Sequence, residues 1–213
     1  MIHVKRFELN MLQENCYVVS DETKEAVVID CGAFFVEERQ AIVNYINDNR
    51  LKPVHLLATH GHFDHNFGND TILHSFGLKP EVGAEDEALM DIKKQSEDLL
   101  GIAFDHEVPT IGRLLRKNDI IEFGSHRLTT LPTPGHTPGS VTFYCGTEGM
   151  AFSGDTLFRM NIGRTDFPGG SWTDMQNSLK NVLAMLPSET IIFPGHGPNT
   201  TIGEELRYNP YMR

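Results

Sequence analysis

Between Ala58 and Gly68 the chain reads ATHGHFDHNFG, which places His60, His62, Asp64 and His65 within six positions. Crowded imidazoles repel one another once protonated and fill a core poorly. The stretch is therefore either a solvated loop or a segment held together by something cationic. Neutral imidazole and carboxylate are ligands that Zn²⁺ accepts. In so tight an H-x-H-x-D-H turn, alternate side chains can aim at different centres, His60 and His62 at one, Asp64 and His65 at its neighbour. One cation cannot easily use all four, so the spacing argues for two sites, each needing ligands from elsewhere. His136 in TPGHTPGS, Asp155 in MAFSGD and His196 in FPGHGPN are the candidates. Each follows a strand-like run, and Gly135, Gly154 and Gly195 precede them; glycine permits sharp turns and close backbone approach. His3, His55, His74, His106 and His126 have no such context and read as surface or packing residues.

The elements around these residues follow from periodicity. Apolar, β-rich runs at 16–20, 26–30 and 54–59 read as strands, and 36–49, with Ile42, Val43 and Ile46 at helical spacing, as a helix. The histidine cluster thus begins where a buried strand ends, the place where functional loops collect in layered folds. Residues 84–118 are polar with scattered Leu89, Ile92, Leu99, Leu100, Leu114 and Leu115, and read as helical segments covering one edge. Strand-like runs recur at 120–124, 126–132, 140–145 and 150–155. A helix is predicted over 173–186, with Thr173 and Gln176 as a capping box and Pro187 as its stop. A last strand, 190–197, runs into a glycine-rich loop. Each half gives strands followed by helix and strand, which suggests two packed sheets with helices outside.

With 213 residues, and no low-complexity linker between the halves, one domain over 1–213 is expected. Apolar residues at 39% and charged residues at 22% are enough to bury a core, which excludes a disordered chain. The sequence holds no apolar run of spanning length and no signal-like start, so a cytoplasmic protein without membrane contact is expected. A net charge of −11 disfavours nucleic acid, although bound cations would reverse the sign locally. Cys16, Cys31 and Cys145, odd in number and without a C-x-x-C pair, read as free thiols in a reducing compartment. Oligomeric state is not encoded in any of these features.

THGHFDH, PGHTPGS, SGDTLF and PGHG, in that order, resemble the ligand motifs of the metallo-β-lactamase fold hydrolases, and the likeness spans nearly the whole chain, including VVIDCG with Asp30. The resemblance implies an α+β fold, an αββα sandwich of two packed mixed sheets with helices on both outer faces. It also implies a binuclear centre at the sheet edges. Carried over, His60, His62 and His136 would bind one metal, Asp64, His65 and His196 the other, and Asp155 would bridge them. Asp30 matches an aspartate expected to support a ligand rather than bind. Two divalent ions are implied, zinc first, with iron and manganese open. Such a pair supplies hydroxide at neutral pH for attack on a carbonyl, with Asp64 and Asp155 as the catalytic carboxylates. Neither G-x-S-x-G nor G-x-G-x-x-G is present, so no serine nucleophile or dinucleotide site is signalled.

GRTDFPGG, within 157–171, resembles a signature of the glyoxalase II-like branch, in particular its short bacterial members. That implies hydrolysis of a small-molecule thioester to a 2-hydroxy acid and a thiol. Arg164 would either pair structurally with Asp166 or hold a substrate carboxylate. Longer glyoxalase II enzymes add a C-terminal helical domain with basic residues; here sixteen residues follow Gly197, so that domain is not expected. A related GRTDF stretch occurs in persulfide dioxygenases, which would imply one iron on His60, His136 and Asp155. Lactonase and nuclease branches share the ligands, the nuclease being least compatible with the acidic charge. A non-catalytic metal-binding scaffold is the remaining alternative, disfavoured because all seven ligand positions are filled.

Overall fold

The computed structural model describes the backbone of all 213 residues and the side chains of all but Leu100, which lies outside the described residues. Two six-stranded sheets form the centre. The first runs β1 (His3–Leu9), β2 (Glu14–Ser20), β3 (Glu25–Ile29), β4 (Lys52–Leu57), β5 (Pro80–Gly83) and β6 (Arg113–Leu115) in sequence order. Its first two pairings are antiparallel and its last three parallel. The second contains β7 (Ile120–Phe123), β8 (His126–Pro132), β9 (Val141–Cys145), β10 (Met150–Gly154), β13 (Ile191–Pro194) and β14 (Thr200–Thr201), in the order β14-β13-β10-β9-β8-β7. Only β10 and β13 are parallel in it. A small hairpin, β11 (Leu157–Phe158) with β12 (Asn161–Ile162), follows β10. The helices are α1 (Val36–Asp48), α2 (Asn69–Phe76), α3 (Ile92–Leu100), α4 (Trp172–Asn181) and α5 (Ile202–Tyr208).

Period-2 alternation places these layers. In β2, Tyr17 and Val19 face the other sheet, while Cys16 and Val18 face α1 and α2. In β10 and β13, Phe152 and Phe193 point inward, while Ala151 and Ile192 pack under Met175 and Leu179 of α4. Strands covered on both faces read as unbroken apolar runs, which is why CYVVS and AVVID stood out. The result is the αββα sandwich: an inter-sheet core around Tyr17, Ile29, Phe143 and Phe152, with an apolar layer under helices on each outer face. All three cysteines are buried and unpaired, as expected of free thiols. Among the described residues no helix is long and apolar enough to cross a membrane.

Three expectations are corrected. Residues 84–118 are not wholly helical: after the 3₁₀ segment Ala84–Met90 and α3 the chain has no regular element until β6, where Leu114 and Leu115 pair with Val82 and Gly83 at the sheet edge. The predicted helix at 173–186 begins at Trp172 and ends at Asn181, with Leu183–Met185 as a separate 3₁₀ turn. Its cap is Ser171, whose Oγ accepts from the Asp174 amide at 3.2 Å, in place of the Thr173/Gln176 box. Ser171 is pinned there because its own amide donates to the Gly135 carbonyl at 2.8 Å.

Candidate metal centre

Every residue of the constellation lies just past a strand, at one end of the sandwich. His60 and His62 follow β4, His65 closes the 3₁₀ turn Phe63–His65, His136 lies between β8 and β9, and Asp155 and His196 follow β10 and β13. Backbone bonds across the sheets hold these ends together: the Val141 amide donates to the Thr59 carbonyl at 2.8 Å, and the Asn15 amide to the Gly195 carbonyl at 2.7 Å. Gly154 turns the chain at φ +49°, a left-handed conformation that glycine adopts without strain. A Cβ on Gly195 would collide with Asp155 Oδ1 and sit 2.7 Å from His65 Cε1, so that glycine is a matter of space.

The ligand atoms fall into overlapping groups, each within 4.8 Å: His60, His62 and His136; Asp64, His65 and His196; and His60, His65 and Asp155. Asp155 lies between them, its Oδ1 3.4 Å from His65 Nε2 and its Oδ2 3.6 Å from both His136 Nε2 and His196 Nε2.

Hydrogen bonds behind the site decide which ring nitrogens face it. Thr59 Oγ1 spends its proton on Asp30 Oδ2 at 2.7 Å, so at 3.1 Å it accepts from His60 Nδ1 and leaves His60 Nε2 bare. His65 Nδ1 donates to Asp30 Oδ2 at 3.1 Å, His136 Nδ1 to the Arg164 carbonyl at 2.7 Å, and His196 Nδ1 to the Leu12 carbonyl at 3.1 Å. Four Nε2 lone pairs thus point inward, the tautomer-fixing arrangement usual for metal ligands. His62 Nδ1 sits 3.1 Å from His60 Nε2 and 2.9 Å from His136 Nε2. One proton there could serve one neighbour, whereas a cation satisfies all three. His65 Nε2 and Asp155 Oδ1 are buried without a hydrogen-bond partner. The donor set therefore fits two divalent ions.

Electrostatics divide the groups. Burial, reinforced by neighbouring imidazoles, holds His60 well below the usual imidazole range and His62 at about 4. Burial acts the same way on His65 and His196, but the facing carboxylates, Asp64 and Asp155 foremost, outweigh it and raise both. Burial would raise Asp64 and Asp155, yet the histidines, His65 first, pull both below the usual carboxylate range.

Both oxygens of Asp30 are engaged behind the site: besides Thr59 Oγ1 and His65 it accepts from the Thr59 amide at 2.7 Å, from a backbone with φ +54°. Arg164 shows the structural alternative, a two-pronged pair with Asp166 at 2.6 and 2.7 Å, and also lines the cavity beside the site, its guanidinium 4.0 Å over the Phe167 ring. That cavity, about 550 Å³, is walled by Leu12, Phe63, Phe158, Ile162 and Phe167. Sequence reasoning missed several supporting residues. Asn66 Nδ2 donates to the carbonyls of His60 and His62, and Asn10 Nδ2 to those of Gly32 and Asp64. Glu14 is fully buried 3.9 Å from His65 Nδ1, both its oxygens unpartnered, and burial pushes its carboxyl well up. Asn66 inside the cluster was a visible signal; Glu14 and Asn10 gave none.

Comparison with known proteins agrees with this geometry. The hydroxyacylglutathione hydrolase GloC of Haemophilus influenzae is 31% identical over 218 residues, covering 99% of this chain and 98% of its own. Among solved structures, BLEG-1 B3 metallo-beta-lactamase matches with a TM-score of 0.90 at 34% identity, over 100% of this chain and 99% of that one. TTHA1623, solved in a di-iron-bound form, matches at 0.84 and 34%, over 98% and 100%. The model of the Metallo-beta-lactamase superfamily matches residues 9–196, from the end of β1 through the last histidine of the site. Fold, motif order and family match coincide, and the chain belongs to the metallo-β-lactamase superfamily.

Proposed function

We propose that this metal-dependent hydrolase cleaves a small-molecule thioester of the glyoxalase II type, releasing a 2-hydroxy acid and a thiol. In this reading His60, His62 and His136 would hold one divalent ion, Asp64, His65 and His196 would hold the second, and Asp155, which reaches both groups, would serve both. The observation that carries it is the inward convergence of bare imidazole nitrogens whose partner nitrogens are tied to Thr59, Asp30, Arg164 and Leu12. Bound there, the ions supply a hydroxide at neutral pH and a Lewis acid for a carbonyl oxygen. Zinc, iron and manganese all suit imidazole and carboxylate, and TTHA1623 holds two irons. Seven converging residues exceed what a single iron on His60, His136 and Asp155 would use.

The chain's own residues supply the rest. Asp64 Oδ2, 3.4 Å from His196 Nε2 at the cavity, stays ionised because the histidines hold it below the usual carboxylate range, and is placed to accept a hydrogen bond from the attacking oxygen and orient it. A thiol leaving group, with an ordinary pKa of about 8.5, needs little further protonation. Phe63, Phe158 and Phe167 keep water from the acyl group, and Arg164 at the cavity wall is the substrate-binding cation, exchanging Asp166 for a substrate carboxylate. The GloC name attaches to a relative covered over 98% of its length, which supports this chemistry on a chain of this extent.

The test is kcat/KM for S-D-lactoylglutathione against thioesters of other thiols, with metal content measured on the same preparation. Turnover by protein holding two metals per chain is expected. No turnover above free metal on any thioester sinks the thioesterase reading. One iron per chain with oxygen uptake on glutathione persulfide would replace it with persulfide oxidation.

A further inference from the structure

The turn bearing His60 and His62 leaves the first sheet and the loop bearing His136 belongs to the second, yet one side chain grips both. Asp86, in the 3₁₀ segment Ala84–Met90, is fully buried. Its Oδ2 accepts from the Gly61 amide at 2.8 Å and from Thr137 Oγ1 at 2.6 Å, and its Oδ1 accepts from the Gly139 amide at 2.6 Å. Gly61 is the residue between His60 and His62; Thr137 follows His136 directly.

The fit is close enough to account for both glycines. A Cβ on Gly61 would stand 2.7 Å from Leu89 Cβ and 3.3 Å from Asp86 Cβ, and one on Gly139 would stand 2.6 Å from Asp86 Cγ. The Gly61 carbonyl is also taken, by Gln95 Nε2 at 2.9 Å. The residue separating two ligands is thus held on both its backbone polar groups, by Asp86 and Gln95.

We infer that Asp86 is a positioning residue for the three-histidine cation site, a clamp that sets the spacing of two ligand loops across the two sheets without touching metal or substrate. The inference rests on the assignment of His60, His62 and His136 as ligands. A carboxylate is required because three donors converge on it. An asparagine offers one oxygen and one NH₂, so its amide would face either the Gly61 or the Gly139 N–H, donor against donor, and lose that bond of the clamp. Supporting residues of this kind are worth about 10–100-fold in metal affinity.

The experiment reads zinc retained per full-length chain against a graded chelator, with circular dichroism and metal-free melting as controls on folding. Wild type is expected to hold two zinc ions. Asp86→Asn should release one of them at about 10–100-fold lower chelator concentration and hold the other normally. In a His196→Ala chain, which relies on the three-histidine site, adding Asp86→Asn should weaken zinc binding by the same factor. In a His62→Ala chain, which relies on the other site, it should change nothing. Loss of both ions in parallel, or unchanged retention of both, overturns the inference. Should Asp86→Asn fail to fold, Thr137→Val removes one of the three bonds and should loosen the same ion by a smaller factor; wild-type retention of both ions in that variant is equally fatal. A wild-type chain that holds no zinc refutes the ligand assignment itself, which is visible before any variant is made.

Discussion

His65 and His126 lie against carboxylates in different parts of the molecule, and carboxylates raise the pKa of both, yet their ring nitrogens are used differently. His126 Nδ1 is 3.0 Å from Asp21 Oδ2 and its Nε2 is 3.0 Å from Glu148 Oε1, so both nitrogens are engaged. Burial would lower its pKa, but the bonds to Asp21 and Glu148 outweigh that and raise it, which makes it a proton-holding ion pair. His55 is built similarly, with Nδ1 2.5 Å from Glu81 Oε1 and Nε2 3.2 Å from the Glu122 carbonyl. His65 has only Nδ1 anchored, on Asp30, while Nε2 is buried without a partner 3.4 Å from Asp155. A histidine with one nitrogen tied back and one bare is a ligand in waiting; a histidine with both nitrogens engaged is a strut.

The contrast breaks most sharply at Asp155, the one carboxylate that reaches both groups of ligands. Asp155→Ala should lower kcat by about 10²–10³-fold or more, since it removes charge from where both ions and the reacting atoms meet, while circular dichroism shows the fold retained. Hydrolysis at wild-type rate in this variant would end the binuclear assignment. The next effect is in metal content. His196→Ala should halve the metal retained after dialysis, whereas His126→Ala should retain all of it; equal metal in the two variants would erase the distinction between ligand and strut. Smaller again is Arg164→Ala. Its guanidinium is exposed and already paired with Asp166, so for a substrate bearing a carboxylate KM should rise only about 2–5-fold, an exposed ion pair being worth about 1 kcal/mol or less. The backbone carbonyl that orients His136 is untouched, so metal content and the rate on an uncharged thioester should stay put. A loss of metal in Arg164→Ala would move this residue from the substrate side to the metal side.

What could be read from the sequence divides along the same line. The candidate ligands were legible because their types are rare in core positions and their loops carry glycines at strand ends. Strands buried on both faces were legible as apolar runs. β1 was not, because its HVKRFEL pattern is mostly exposed, and β6 was not, because three residues at a sheet edge carry too little periodicity to compete with the helical reading of Leu114 and Leu115. α2 and α5 are eight and seven residues long, too short to show an apolar stripe. Asp86 was hidden for a different reason. It stands in AEDEALM, an acidic run that reads as a solvated face, and only the folded chain brings Gly61, Thr137 and Gly139 to it. A side chain whose bonds are all long-range leaves no local trace.

The smallest effect tests the strut itself. Because the folded pKa of His126 lies above its ordinary value of about 6.5, its contribution to stability is fully present below that pH and is lost as pH rises through the folded value. Asp21 works in the opposite direction: burial would raise its pKa, but bonds from Thr23, Ser125 and His126 depress it, so its contribution is present above the ordinary carboxylate range and lost in acid. Metal-free protein isolates this pole from the metal centre. Its melting temperature relative to that of His126→Gln should be higher by about 2–4 °C near pH 6, the shift expected for about 1 kcal/mol in a chain of this size, and the difference should shrink toward alkaline pH. A constant difference across that range would mean that His126 is held as a neutral ring, and that the strut is made of hydrogen bonds without the charge.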